Sequence, residues 1–494
     1  MKKLAFNPYL PSWEFVPDGE PHVFGDRVYL YGSHDTPKGT TFCPGDYVVW
    51  SAPVDDLSDW RCEGVSYRKD QDPLNGAPYD GTLPELDPFM GSFELPHLLY
   101  APDVAQGPDG RYYLYYSLDF TNVISVAVSD SPAGPFEFLD FVRTADGEIP
   151  DVGRWFDPAI LSEERGNYLY YGFAPTFRFP GMGDDPFPGA QMVKLADDMH
   201  TIITDPVCVA NGPDTCKGTC YEEHPFFEAS SIRKIGDWYY FVYSSLQGNE
   251  LCYGMAKTPE GPFEFKGVIH SNGDLGYKGN TLPVTYTGNN HGGLVQVGGD
   301  VYIFGHRQTH GTGFSRQGVA EKVTILPDGT IPQVELTSCG LNGGPLPAKG
   351  VYQSYIACHL TEKDRTKVGH VVEPKPGQGM PELPEEMPYI TEEADAAFEK
   401  SLKPYIANLR EGAVAGFKYL AFAGDEQSVA LELRGTGTAQ IRLGSADGTV
   451  AAELSHDSGD WRSTSTVLEK TEGVHALYVV VTEGKLDFAS FMIE

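Results

Sequence analysis

The sequence predicts an all-β fold, a five-bladed β-propeller followed by a β-sandwich of the jelly-roll kind, on three observations. An aromatic hairpin recurs five times before residue 340. A polar residue precedes each hairpin at a nearly fixed distance. Beyond residue 390 the hairpins give way to short strands of alternating apolar and polar residues. The 494 residues carry 56 Gly and 38 Pro beside 28 Tyr and 27 Phe, a composition of many short strands joined by turns.

The five hairpins share a Gly or Asp turn followed by an aromatic strand. They are Gly25-Asp-Arg-Val-Tyr29, Asp109-Gly-Arg-Tyr-Tyr113, Arg165-Gly-Asn-Tyr168, Gly236-Asp-Trp-Tyr239 and Gly298-Gly-Asp-Val-Tyr302. A second repeat, Ser131-Pro-Ala-Gly134-Pro-Phe-Glu-Phe138 against Thr258-Pro-Glu-Gly261-Pro-Phe-Glu-Phe265, falls at matching places in two of the units. Radial repetition of small antiparallel sheets gives a propeller, so five units imply five blades.

Ahead of each hairpin stands one polar residue. Asp18, Asp157, Glu228 and His291 lie eleven positions before Tyr29, Tyr168, Tyr239 and Tyr302, and Asp103 lies ten before Tyr113. Equivalent positions in a propeller converge around its axis, so four acids and one His are expected to form a site.

The propeller is assigned residues 1–345. Residues 346–389 are expected to be a connecting segment, ending in the Pro-rich stretch from Glu373 to Pro388. Residues 390–494 are assigned to the sandwich, on alternating stretches such as Ser428-Val-Ala-Leu-Glu-Leu-Arg434.

Charge narrows the function. A formal charge of -33 argues against nucleic acid or anionic membranes as partners, since phosphate contacts need clustered Lys and Arg. A small neutral oligosaccharide is the expected ligand; the sequence leaves oligomeric state open. Residues Met1 to Pro8 lack the apolar stretch of a signal peptide, and no run approaches the ~20 apolar residues of a membrane span, so a cytoplasmic location is expected. The eight scattered Cys are read as reduced structural thiols. Cys208, Cys216 and Cys220 lack the partner pair that would complete a metal knuckle, and no metal site is assigned.

Two carboxyl groups flanking a bond are what glycoside hydrolysis requires, one protonated to help the leaving oxygen depart and one ionised. Glu228, behind Phe226-Phe227 on an apolar strand, is the expected general acid, because burial and neighbouring negative charge would raise its pKa. Asp18, among Glu14, Glu20 and His22, is the expected base, with Glu20 competing for that role. His34, Asp35 and Arg307 are candidates for binding sugar hydroxyls.

These residues also carry a family resemblance. Asn7-Pro-Tyr-Leu-Pro and Pro17-Asp18, Tyr100-Ala-Pro-Asp103, Phe156-Asp157-Pro158, Glu228 and Asn290-His291-Gly292 resemble the five blade signatures of glycoside hydrolase family 43 across most of residues 7 to 310. The resemblance implies a five-bladed propeller that hydrolyses arabinofuranosides and xylosides with inversion. Asp18 would be the base, Asp157 the acid-tuning orienter and Glu228 the acid, with Asp103 and His291 near substrate or axis. The chain departs from the family in Asp18-Gly19-Glu20, where Asp-Pro is common, and in Ala-Ser-Ser after Glu228. The tail, from Asp460-Trp461 to Leu486-Asp-Phe-Ala-Ser-Phe-Met, resembles a family 6 carbohydrate-binding module. No cofactor is expected for catalysis. The two resemblances offer places for a structural calcium, in the channel near His291 and in the sandwich.

The expected activity is thus an inverting exo-glycosidase releasing pentose from plant-type oligosaccharides, an α-L-arabinofuranosidase or β-xylosidase. A retaining furanosidase of the fructan-cleaving type and a non-catalytic carbohydrate-binding protein are the alternatives.

Overall fold

The structure, a computed structural model, describes residues 4–86, 95–178, 186–364 and 382–494. Five sheets follow in the order of the five hairpins, antiparallel except where Thr201–Ile202 pairs in parallel with Arg143–Thr144 at the edge of the third. Blade one comprises Glu20–Phe24, Arg27–Tyr31, Tyr47–Pro53 and Arg61–Tyr67. Blade two comprises Leu99–Gln106, Tyr112–Leu118, Ile124–Ser129 and Glu137–Phe141. Blade three is built on Ala159–Glu163, Gly166–Tyr171, Gly189–Leu195 and Val207–Asn211. Blade four comprises Phe226–Ile235, Trp238–Ser245, Glu250–Ala256 and Glu264–Ser271, and blade five Leu294–Val297, Asp300–Thr309 and Thr312–Val323.

The repeated turns make the hairpins. In blade four Ile235 pairs with Trp238, so Gly236 and Asp237 form a two-residue loop, and Gly236 adopts φ +60°, a conformation that suits glycine. The strand that follows is apolar on both faces because blades pack face to face. Tyr239, Phe241 and Tyr243 join the core shared with blade three, while Tyr240 and Val242 join the core shared with blade five. Three further cores fill the remaining interblade gaps. The first strands of successive blades lie side by side around a ring, and those of blades five and one close it.

Closure rests on polar contacts as well as packing. Gly19 bridges to Gly292 in parallel. Asn7 donates from Nδ2 to the carbonyls of Ala320 and Thr337, and its Oδ1 accepts from Ala320 N at 2.9 Å. The N-terminal segment is thereby laced to the outer strand of blade five.

The C-terminal region is β-rich and folds over a main core that includes Phe417, Leu431, Leu477, Phe488 and Phe491, with a smaller cluster of Val414, Ala476 and Tyr478. Its strands are long, with Ser428–Leu443, Thr449–Val467 and Glu472–Ile493 forming its centre. The segment after residue 345 does more than connect. Leu346–Pro347 and His359–Thr361 pair with Val414–Ala423, and Gly350–Gln353 pairs with Glu472–Ile493, so this stretch completes the C-terminal sheet. The Pro-rich stretch at 373–388 lies outside the described residues as far as 381. Among the described residues no helix is long and apolar enough to cross a membrane.

Candidate active site

The entries to the first strands of the blades converge on a cavity of about 450 Å³. Asp18, Asp157, Glu228 and His291 all line it. Two of the acids are held in left-handed backbone geometry, with φ 57° at Asp18 and 46° at Asp157, and Ala229, after Glu228, has φ 69°. Asp tolerates this region better than most residues, and such geometry concentrates at functional sites, where the surrounding fold over-determines it.

The wall is aromatic. Tyr100, Phe156, Phe173 and Phe227 form a continuous chain, with ring centroids 5.7, 5.3 and 5.3 Å apart, and Phe42, Phe120 and Phe177 also line the cavity. Apolar faces of this kind suit the C–H faces of a sugar, and they lower the polarity around the acids.

Arg316, on the last strand of blade five, organises the charges. Its Nη1 donates to Asp18 Oδ1 at 2.9 Å, while Nε and Nη2 donate to Asp35 Oδ2 and Oδ1 at 2.8 and 3.0 Å. Burial alone would raise the Asp18 pKa, but Arg316, helped by His306 and His291, brings it below the usual carboxylate value. His306 fixes the loop. Its Nδ1 accepts from Asp18 N at 3.3 Å, so Nε2 carries the proton and donates to Asn289 O at 2.7 Å. Burial holds this imidazole neutral, its pKa lowered to about 3.

Glu228 is the opposite case. Burial first, and then the negative charge of Asp18, raise its pKa to about 7 against the opposing pull of Arg316. Among the described residues its carboxyl has no hydrogen-bond partner, which leaves it free for a ligand in the cavity. Asp157 Oδ2 accepts from Ala229 N at 3.0 Å, tying the third acid to the residue next to Glu228. Burial and the charges of Glu228 and Asp18 push the Asp157 pKa upward. One ionised carboxylate, one proton-bearing carboxyl and a third acid coupled to them thus face a single cavity.

The other expected binding residues lie elsewhere. Asp103 Oδ1 pairs with His22 Nε2 at 2.6 Å and Oδ2 accepts from Ile160 N at 2.8 Å, so it joins blades one, two and three behind the cavity. Blade two's longer hairpin loop explains this: Ala105 pairs with Tyr113, so Asp103 lies two residues before the partner of its Tyr, whereas Asp18, Asp157 and His291 lie four before theirs, and Ala101 takes the matching place at the cavity. His34 is taken up by Glu14 Oε1 and Asp46 O at 3.0 and 2.9 Å. Asp35 is the counter-charge that holds Arg316. Arg307, 4% exposed, donates to the carbonyls of Ala357 and Tyr355, fastening the propeller to the segment that completes the C-terminal sheet. None of the four lines the cavity. Glu20 is also set apart: its Oε2 accepts from Arg233 and Ser231, and burial raises its pKa to about 8. Sequence reasoning missed Arg316, because no turn or repeat marks it.

In the C-terminal domain the Trp461 ring is already engaged. Lys403 Nζ and the Arg434 guanidinium lie 4.4 and 4.5 Å from its centroid, Tyr405 packs edge-on, and its Nε1 donates to Glu393. It is not an open platform for a sugar.

A family model, glycosyl hydrolases family 43, matches residues 15–331. A xylosidase/arabinosidase from Thermoclostridium stercorarium is 46% identical over 488 residues, spanning 97% of this chain and 96% of that protein. A beta-xylosidase from Xylanibacter ruminicola is 28% identical over 321 residues, spanning 60% of this chain and 89% of its own length. Among solved structures, a β-xylosidase/α-arabinofuranosidase from a compost microbial metagenome, in complex with xylotriose, superposes with a TM-score of 0.50 at 25% identity, covering 66% of this chain and 96% of that one.

Proposed function

This chain belongs to glycosyl hydrolases family 43, and we propose that it is an inverting, exo-acting glycosidase that releases arabinofuranose or xylose from short oligosaccharides. The single observation that carries the chemistry is the divergence of two carboxyls on one cavity: Asp18 is held ionised by Arg316, while Glu228 keeps its proton to about pH 7. The pentose specificity is supported by the extent of the likeness to the xylosidase/arabinosidase, which runs through both domains.

In this reading Glu228 gives its proton to the leaving glycosidic oxygen as the bond to the anomeric carbon breaks. Asp18 takes a proton from a water that attacks the same carbon from the opposite face, and the released sugar carries the new hydroxyl. Asp157 positions the strand bearing Glu228 through Ala229 N and couples to its charge. The aromatic wall holds the sugar and excludes water from all but the attacking position. A cavity of about 450 Å³ suits a short saccharide end.

Calcium takes no part in this reading. The channel group Glu20, His22 and Asp103 already contains a cation, since Arg233 Nη2 lies 2.6 Å from Glu20 Oε2 and 2.9 Å from His22 Nε2. Glu20 Oε1 lacks a hydrogen-bond partner and His291 Nε2 stands 3.9 Å from it, a gap that suits a bridging water. One carboxylate oxygen and one imidazole are a poor match for the six to eight oxygen ligands that calcium takes. Among the described residues the groups of three metal-ligating side chains both lie in the propeller rather than the C-terminal domain. All eight cysteines are free, which supports action in a reducing compartment, the cytoplasm.

The test is turnover of chromogenic arabinofuranosides, xylosides and galactofuranosides, with NMR of the first-formed anomer. Release of pentose with inverted configuration is the expected result. Retained configuration would replace this mechanism with a double displacement, and absence of turnover on the whole panel would reject the reading.

A further inference from the structure

A second cluster of chemically distinctive side chains lies in blade four, outside the cavity. Glu250 opens the third strand and Cys252 follows two residues later on the same face. His224 stands just ahead of the first strand. None of the three lines the active-site cavity. His224 Nδ1 lies 2.6 Å from Glu250 Oε1 and 3.9 Å from Cys252 Sγ, and Sγ lies 3.4 Å from Glu250 Oε1. Imidazole, thiol and carboxylate thus turn one donor atom each toward a common point.

We propose that His224, Glu250 and Cys252 form a zinc site, with the fourth position left to water. The donor set is the first argument. A thiolate with an imidazole selects zinc or a similar transition-metal ion over calcium or magnesium. Geometry is the second. Zinc bound at about 2.3 Å from sulfur and about 2.0–2.2 Å from nitrogen and oxygen places tetrahedral nitrogen and oxygen ligands about 3.3–3.5 Å apart and each of them about 3.5–3.7 Å from sulfur. Both edges to sulfur are close to that spacing. Only the edge between His224 and Glu250, now closed by a shared proton, has to widen, by about 0.7 Å.

The surroundings supply what a zinc site needs beyond its ligands. Ser245 Oγ donates to Glu250 Oε1 at 2.5 Å, and the His224 ring stacks on Phe265 at 5.1 Å with 17° between planes. The His224 carbonyl accepts from Tyr243 OH at 2.7 Å, fixing the backbone that carries the ring. Such outer partners orient first ligands and are a usual part of zinc sites. Cys252 and Glu250 are buried, whereas the His224 side chain is 26% exposed, so an ion has an entry on the imidazole side. On binding, the ion takes the place of two protons, the one shared by His224 and Glu250 and the one on the Cys252 thiol. Both leave to solvent, and the net charge of the site is unchanged. Zinc here would pin the chain four residues before Glu228.

The experiment uses the full chain, stripped with chelator and titrated with Co²⁺ as a spectroscopic stand-in, then with Zn²⁺. One equivalent of Co²⁺ is expected to bind with a thiolate-to-cobalt charge-transfer band and release of two protons, and Zn²⁺ is expected to bleach the band. The band is expected to vanish in Cys252→Ser and in His224→Gln. The second substitution is at a part-exposed position, so it keeps the test open if the first does not fold. Failure of Co²⁺ to give the band, or an equal band in either folded variant, would overturn the proposal and leave a His–Glu ion pair beside a buried thiol. Neither outcome bears on the glycosidase reading, which uses none of these residues.

Discussion

Arg316 Nη1 meets Asp18 Oδ1 at 2.9 Å across the seam where blade five joins blade one, and the same guanidinium is held from behind by both oxygens of Asp35. Asp18 therefore owes its charge to a residue 298 positions away. Lys cannot reproduce this fork, because a single ammonium lacks the planar donors that serve two carboxylates at once.

Arg316→Lys is expected to lower kcat by about 10²-fold, the scale of a lost general-base contribution. It should also move the acidic limb of the pH–rate profile to higher pH, since Asp18 must then be deprotonated without its partner. A profile whose acidic limb stays in place would show that Arg316 does not set the charge of Asp18.

If Glu228 is the general acid proposed above, it works in its protonated form, and activity should fall as pH rises through about 7. Glu228→Gln is expected to remove that basic limb and to lower kcat by about 10²–10⁴-fold. The loss should be smaller on nitrophenyl glycosides, whose leaving oxygen needs little protonation, than on xylobiose or arabino-oligosaccharides. Equal losses on both substrate types would deny Glu228 the role of acid.

Burial, Glu228 and Asp18 push the Asp157 pKa well upward, whereas the neighbouring charge that raises Glu228 is that of Asp18. Asp157→Asn keeps a neutral acceptor toward Ala229 N, so the basic limb should stay near pH 7, with KM for a xyloside little changed. A basic limb moved to lower pH would show that Asp157 carries charge beside Glu228, and a large rise in KM would make it a sugar ligand instead.

Arg307→Ala tests a structural role against the binding role expected from sequence. It strips the carbonyls of Tyr355 and Ala357 of their donor, at a cost of about 1–3 kcal/mol for each buried group left unpaired. Tm should drop while KM holds in the protein that remains folded. A raised KM at unchanged Tm would return Arg307 to the substrate.

Much of this architecture was legible in the chain because propeller blades are local. A Gly or Asp turn before an aromatic strand reports a hairpin, and an offset from that turn reports the ring. That reasoning located Asp18, Asp157, Glu228 and His291 at the cavity, as the structure places them. It failed where the length of a turn mattered, at Asp103, which the longer loop of blade two sets two residues further along its strand, against His22. It failed again where a charge is used for closure, at Asp35, His34 and Arg307, since a buried ion pair and a sugar ligand look alike in sequence. Arg316 had no local mark, because its partners come from the far end of the chain. The strands between 346 and 361 were read as connector because each is four residues or fewer and borrows its register from a sheet formed later.

The lacing of Asn7 to Ala320 has a consequence for biosynthesis. The residue that fastens the ring leaves the ribosome first, and its partner follows 313 residues later. Asp18 waits almost as long for Arg316. Until blade five is made, the nascent chain carries a buried-type aspartate with no counter-charge and an unsealed edge on blade one, features that favour mispairing in slow-folding chains. Catalytic competence should therefore arrive abruptly, with the last blade, so that the first turnover from a synthesising ribosome doubles as a clock for ring closure.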